Sequence, residues 1–301
     1  MRKGQRFTPA RLERWSRAGR GSGAGADYRP WHQVTRDDPG SRGRSHLVSW
    51  RFGRLHHLLS DQELVAFGFA SMLPGLADVR EQFALAIDDQ VVEGSWHGFD
   101  SGESQPGTLT LAKVLGVKHP TVRRAGETCP WVMSTDLLLT VQAPQGKQEL
   151  LAISVKHQDE LLNRRKGELL RLEQAYWHSR KVPWLLLTPT LHDPGVAMAV
   201  RMGLPWAIGD AAVDGRLIAR CAALAPDIQG RSMRQALPLI GSALALDTSA
   251  AQTVLWQSVW CAQLPLNLAR PLRPDQPLEL MSQDAFWRQN PIASRRSAWT
   301  H

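Results

Sequence analysis

The strongest hydrophobic pattern in the chain lies between residues 131 and 188. Trp131–Val141 (WVMSTDLLLTV) is a nearly continuous apolar run, as a strand buried on both faces would be. Pro144-Gln145-Gly146-Lys147 has turn chemistry, and Glu149–Lys156 (ELLAISVK) reads as a second strand, so the two predict a hairpin. Asp159–Arg180 has helical spacing, with Leu162, Leu169, Leu172 and Tyr176 on one stripe. Pro183–Thr188 (PWLLLT) is a third strand. Strand, helix, strand in this order predicts a right-handed crossover joining two parallel strands of one sheet.

Outside this block the pattern is weaker. Ser60-Asp61-Gln62-Glu63 has capping-box form ahead of Leu64, Val65, Phe67 and Phe69, which predicts a helix starting at Ser60. Leu109–Val117 predicts a short helix, and residues 88–108 read as a polar surface insertion. Residues 1–55 are rich in Gly, Arg and aromatics with little periodicity. After Pro189–Gly195, read as a linker, the chain is Ala- and Leu-rich with short helical stretches, Thr248–Gln263 the clearest. The expected organisation is residues 1–188 as one α/β domain with a basic N-terminal arm, 189–280 as a small, mostly helical domain, and 281–301 as a loosely ordered tail.

Composition narrows the class. The chain has 301 residues, and no stretch approaches the length of apolar sequence that crosses a membrane. Cys129, Cys221 and Cys261 are far apart and odd in number, so they fit a reducing cytoplasm and make neither a disulfide frame nor a zinc motif. Net charge is +8, and the first 60 residues hold 13 Lys/Arg against 4 Asp/Glu, while the remainder is close to neutral. Such a segment reads either as a phosphate-contacting surface or as a solvated basic arm. Arg17, Arg20, Arg42, Arg44 and Arg51 are the expected phosphate contacts. Gly19–Trp31 (GRGSGAGADYRPW) is not a P-loop, because no Gly-Lys-Ser/Thr follows it. Trp31 is a candidate for stacking or packing near DNA. His56 and His57 are adjacent on a strand and point opposite ways, which argues against shared metal ligation.

The candidate chemistry sits on the hairpin. Strand alternation puts Leu150, Ala152, Ser154 and Lys156 on one face, and Asp136 interrupts the apolar partner strand. One reading is a cross-strand ion pair. The other is phosphodiester hydrolysis, with Asp136 and a second carboxylate, Glu63, as hard ligands for a divalent cation and Lys156 countering charge at the phosphate. Glu63 also has a purely structural reading, as the acidic partner of the cap on Ser60.

An Asp followed by a strand ending in x-x-Lys resembles the catalytic motif of restriction-type nucleases. Seven blocks resemble, in order, the TnsA endonuclease subunit of Tn-seven-like heteromeric transposases: GRGSGAGADYRPW, GRSHLVSWRFGRLHHLLSDQEL (Gly43–Leu64), VREQF (Val79–Phe83), VKHPTVRRAG (Val117–Gly126), VMSTDLL (Val132–Leu138), ISVK (Ile153–Lys156) and LEQAYWHSRKVPWLLLT (Leu172–Thr188). The C-terminal third resembles the family only in length and helical character. The resemblance implies a restriction-endonuclease-like mixed sheet flanked by helices, followed by a winged-helix-like domain. It implies Glu63 and Asp136 as metal-binding carboxylates, Lys156 as the catalytic lysine and Glu173 as a secondary site residue. The family usually has Gln two positions before the lysine, where this chain has Ser154, a shorter third ligand position beside the metal. Further implications are Mg²⁺ (or Mn²⁺) as cofactor and cleavage of the 5′ strands of double-stranded DNA at transposon ends. The implied partners are a DDE-type recombinase subunit and an ATP-dependent transposition regulator, with no membrane. The rivals are a non-catalytic DNA-binding adaptor that keeps the nuclease fold and a stand-alone restriction or repair nuclease.

Overall fold

The computed structural model describes residues 7–35, 38, 43–50, 52–91, 104–142, 146–209 and 213–299. In chain order the elements are α1 (Pro9–Arg17), β1 (His46–Trp50), β2 (Arg54–Leu58), α2 (Asp61–Ser71), β3 (Leu76–Ala84), β4 (Gln90–Val91), β5 (Ser104–Gln105), α3 (Thr108–Val114), β6 (Thr121–Arg124), β7 (Glu127–Pro130), β8 (Ser134–Gln142) and β9 (Gln148–Val155). There follow α4 (Gln158–Leu161), α5 (Arg164–Ser179), β10 (Trp184–Leu187), α6 (Pro194–Ala207), α7 (Gly215–Ala223), α8 (Ala225–Ile228), α9 (Met233–Leu244), α10 (Thr248–Trp260) and α11 (Gln283–Gln289). Contacts divide the chain into two units. One takes the residues up to Glu63 and Gly75–Thr188, and the other takes Leu64–Pro74 and the chain from Pro189.

The first unit is built on a mixed four-stranded sheet of order β10-β9-β8-β3. β8 pairs antiparallel with both β9 and β3, and β10 pairs parallel with β9, as the strand–helix–strand pattern predicts. Leu137, Leu138 and Leu139 are fully buried although their side chains alternate, so both faces of β8 are covered. Burying each such side chain stabilises the sheet by about 1.5–3 kcal/mol. Leu138 and Ala152 pack in one cluster with Leu172, Tyr176 and Trp177 of α5. A mixed sheet flanked by helices, with a helical C-terminal part, agrees with the restriction-endonuclease-like fold that the resemblance implies.

The structure departs from expectation in four places. The helix expected over 159–180 breaks at Leu162, which is 86% exposed rather than part of the buried stripe. Asn163 causes the break: its side chain accepts from Lys166 N at 3.0 Å and caps a new helix, α5. The N-terminal segment is a built element, not a bare arm. Thr8 caps α1, and Leu12 and Trp15 bury against Trp31 and Val122. Trp31 is 3% exposed and meets Trp15 edge-on at 5.6 Å, so it is core and not a stacking platform for DNA. Residues 281–299 are not a loose tail, because they carry α11, with Phe286, Asn290 and Ile292 buried.

In the second unit the helices pack closely. A Cβ on Gly203 of α6 would lie 2.5 Å from the Trp256 ring of α10, so glycine is what lets the two approach. Trp260 donates to Ser71 Oγ at 2.8 Å, and Asn290 donates to the Phe69 carbonyl at 2.8 Å. Among the described residues this unit has helices and two isolated strand bridges, Ser232 with Pro277 and Leu266 with Leu280. Among the described residues no helix is long and apolar enough to cross a membrane.

Candidate active site

Asp136 stands near the start of β8, just beyond the last β8–β9 pair, Leu137 with Ile153. Its carboxylate fills the gap this leaves. Oδ2 accepts from Val155 N at 2.6 Å and from Lys156 Nζ at 2.5 Å. Lys156 follows β9 directly, and its ammonium also donates to the Val155 carbonyl at 3.0 Å. Burial alone would lower the lysine pKa, but Asp136, Glu173 and Glu63 outweigh it and hold the ammonium charged, above its ordinary value.

Glu63 reaches the same place from the first turn of α2. It is a capping residue: Glu63 N donates to Ser60 Oγ at 3.1 Å, and its carboxylate accepts from Leu59 N at 2.9 Å and Ser60 Oγ at 3.2 Å. The two readings of Glu63 are therefore compatible, because the cap fixes the carboxylate that faces Asp136. Gln82 Nε2 joins them, donating to Glu63 Oε2 at 3.1 Å and to Asp136 Oδ1 at 3.4 Å. Burial, then the like charge of Asp136, pushes the Glu63 pKa up to about 8.

Ser154 and Glu173 form a neighbouring network. The Ser154 hydroxyl donates to Glu173 and accepts from Trp184 Nε1 at 3.2 Å. Glu173 also accepts from Thr135 Oγ1 at 2.7 Å, and Thr135 accepts from Trp177 Nε1 at 2.7 Å. Burial raises the Glu173 pKa while Lys156 pulls it down. Glu173 thus points from α5 at the sheet. The Ser154 hydroxyl, which the resemblance implies as a third ligand position, is engaged by Glu173 and Trp184, and the residue is fully buried.

A cleft of about 290 Å³ opens beside these groups. Trp131, Met133, Ser134, Asp136, Lys156 and Glu173 contribute to its wall. His32 stacks on Trp131 at 5.5 Å, and burial lowers its pKa to about 4, so the ring is neutral at physiological pH.

The residues fit a divalent cation. Two buried carboxylates share one neutral donor nitrogen, and even with the Lys156 ammonium beside Asp136, burial and repulsion still raise the Glu63 pKa. Among the described residues no group of three or more His, Cys, Asp or Glu is placed to hold a metal ion. A cation here would rest on Glu63 and Asp136, with a backbone carbonyl and water completing the set, an arrangement that Mg²⁺ accepts.

Of the basic residues singled out, Arg17 is 76% exposed and pairs with Glu13, and Arg44 is exposed. Arg20 is 14% exposed, pairs with buried Asp38 at 2.7 Å and lies over the Trp15 ring, so its charge is spent inside the unit. Arg42 and Arg51 lie outside the described residues. His56 is buried against Glu81 at 3.0 Å, while His57 Nδ1 accepts from Val34 N at 3.0 Å; the pair diverges as strand alternation requires.

The residue that sequence reasoning missed is Gln82. It lies in the block Val79–Phe83, and nothing local marks its side chain, because its place depends on pairing with β8, about 50 residues away.

A family model described as TnsA-like endonuclease N terminal matches residues 100–189. The chain is 34% identical over 226 residues to the transposon Tn7 transposition protein TnsA of Escherichia coli, a match covering 74% of this chain and 72% of that protein.

Proposed function

The chain belongs to the TnsA-like endonuclease family, and from that premise we propose that it is the transposase subunit that hydrolyses the 5′ strands at transposon ends, using Mg²⁺. The observation that carries this reading is the convergence of Glu63 from α2, Asp136 from β8 and Lys156 after β9: Gln82 bridges the two carboxylates, Lys156 pairs with Asp136, and Asp136 and Lys156 stand in the wall of one cleft.

Glu63 and Asp136 would hold the cation, which when bound supplies charge stabilisation at the scissile phosphate and makes water a better nucleophile. The rest is done by the chain. Val155 N–H and Lys156 fix the Asp136 carboxylate, and the cap on Ser60 fixes Glu63, so neither must reorganise as charge develops. The Lys156 ammonium, kept charged by its acidic neighbours, counters the negative charge that grows on the phosphate oxygens as water adds. Ser154 and Thr135 donate to the Glu173 carboxyl, and Trp177 donates to Thr135. The Glu173 carboxyl, also in the cleft wall, helps to keep the Lys156 ammonium charged.

Exposed Arg17 and Arg44 would meet DNA phosphates, and the second unit would dock the partners: a DDE-type recombinase subunit that cuts and joins the 3′ strands, and an ATP-dependent regulator. The test is to incubate the protein with the recombinase subunit and end-bearing DNA, with Mg²⁺ or with EDTA. Nicks that need the chain, the partner and Mg²⁺ support the reading. DNA and partner binding without any nick would make it an adaptor, and nicking without the partner a stand-alone nuclease.

A further inference from the structure

We propose that Gln82 is a positioning residue of this site: its amide sets the spacing of Glu63 and Asp136 at which the two carboxylates share one divalent cation. This rests on the carboxylate-pair reading above and names the residue that keeps the pair in place.

The geometry is specific. Gln82 is 2% exposed, and every hydrogen-bonding group of its amide is directed. The two N–H groups go to Glu63 at 3.1 Å and Asp136 at 3.4 Å, and Oε1 accepts from Ser134 Oγ at 3.2 Å. One neutral donor between two carboxylates offsets their repulsion and ties their separation to the length of a single side chain.

The backbone is bent to put it there. Glu81 pairs with Leu137 and Phe83 with Thr135, but no pair forms between Gln82 and Asp136. At that gap Gln82 adopts φ +49°, a left-handed conformation seldom seen for residues other than Gly and Asn. Such a conformation persists only where its surroundings over-determine it. Here the Gln82 carbonyl accepts from Trp31 N at 3.1 Å. The preceding Glu81 is clamped by Arg54 at 2.8 Å, His56 at 3.0 Å and His57 N at 3.0 Å, and its carbonyl accepts from Tyr28 at 2.9 Å.

The experiment uses the full chain without DNA, at one fixed pH, with Mn²⁺ alone as the probe. Free Mn²⁺ is followed by electron paramagnetic resonance, and melting is recorded in EDTA. Gln82→Met keeps length and removes the amide. Gln82→Asn keeps an amide and suits a left-handed backbone, but is one methylene too short to bridge the pair. Both variants should weaken Mn²⁺ binding about 10- to 100-fold, as loss of a group orienting metal ligands does. If Gln82→Met does not fold, Gln82→Asn decides. Variants that bind Mn²⁺ as the wild type does, whatever their melting temperatures, would show a purely structural residue and overturn the proposal. A wild type that binds no Mn²⁺ would overturn the carboxylate-pair reading itself, so the two failures are told apart.

Discussion

The proposed role of Glu63 as a ligand makes cation binding a proton-linked event. In the metal-free protein its carboxyl titrates at about 8, because it is buried and faces Asp136. A cation needs the carboxylate, so binding below that pH must expel a proton. The charged fraction falls from about three quarters at pH 8.5 to about 3% at pH 6.5, so the apparent association constant should drop about 25-fold, or about 2 kcal/mol. The same shift has a stability consequence of defined sign. Folded Glu63 keeps a proton that the unfolded chain gives up above its ordinary 4.5. The stability it contributes is therefore full below 4.5 and declines as pH rises towards 8, and a cation should restore it at the alkaline end. Isothermal titration with Mn²⁺ in two buffers of different ionisation enthalpy measures both affinity and proton release. Close to one proton should leave per ion near pH 6.5, and Glu63→Gln should bind weakly with a flat pH profile. An affinity independent of pH from 6 to 9, with no proton released, would refute the reasoning.

Three further outcomes follow from named contacts. Asp136→Ala should abolish strand cleavage while circular dichroism still reports a folded chain, because it removes a proposed metal ligand and the partner of Lys156. Ser154→Ala should cost about 1–3 kcal/mol in denaturant melts by leaving buried Glu173 and Trp184 each a partner short, with little change in Mn²⁺ affinity. Arg20→Ala should lower thermal stability and leave the salt dependence of DNA binding unchanged, whereas Arg17→Ala with Arg44→Ala should flatten that dependence. A flattened slope from Arg20→Ala alone would place its charge on the DNA instead.

What the sequence made legible was what depends on local period. The apolar run around Leu137–Leu139, the turn and the lysine ending ELLAISVK are enough to predict the β8–β9 hairpin, the parallel β10 and the approach of Asp136 to Lys156. The cap on Ser60 was equally local, and it placed the Glu63 backbone correctly. What stayed hidden depends on distant partners. Charge counting marks Arg20 as basic but cannot see that Asp38 and Trp15 enclose it. Alternation puts Ser154 on the face shared with Lys156 but does not say that Glu173 arrives from α5 to take its hydroxyl. Gln82 owes its place to its own left-handed backbone at the gap in β3–β8 pairing, which neither propensity nor periodicity encodes.

The central claim is that Glu63, Asp136 and Lys156 form a nuclease centre acting on one strand at transposon ends. The most direct measurement is a strand-resolved map of cut sites on end-bearing DNA, with the recombinase subunit and Mg²⁺ present, for the wild type and for Asp136→Ala. The account predicts 5′-strand cuts at both ends with the wild type and none with Asp136→Ala, while 3′-strand cuts by the recombinase persist. Undiminished 5′-strand cuts from a folded Asp136→Ala protein would contradict it.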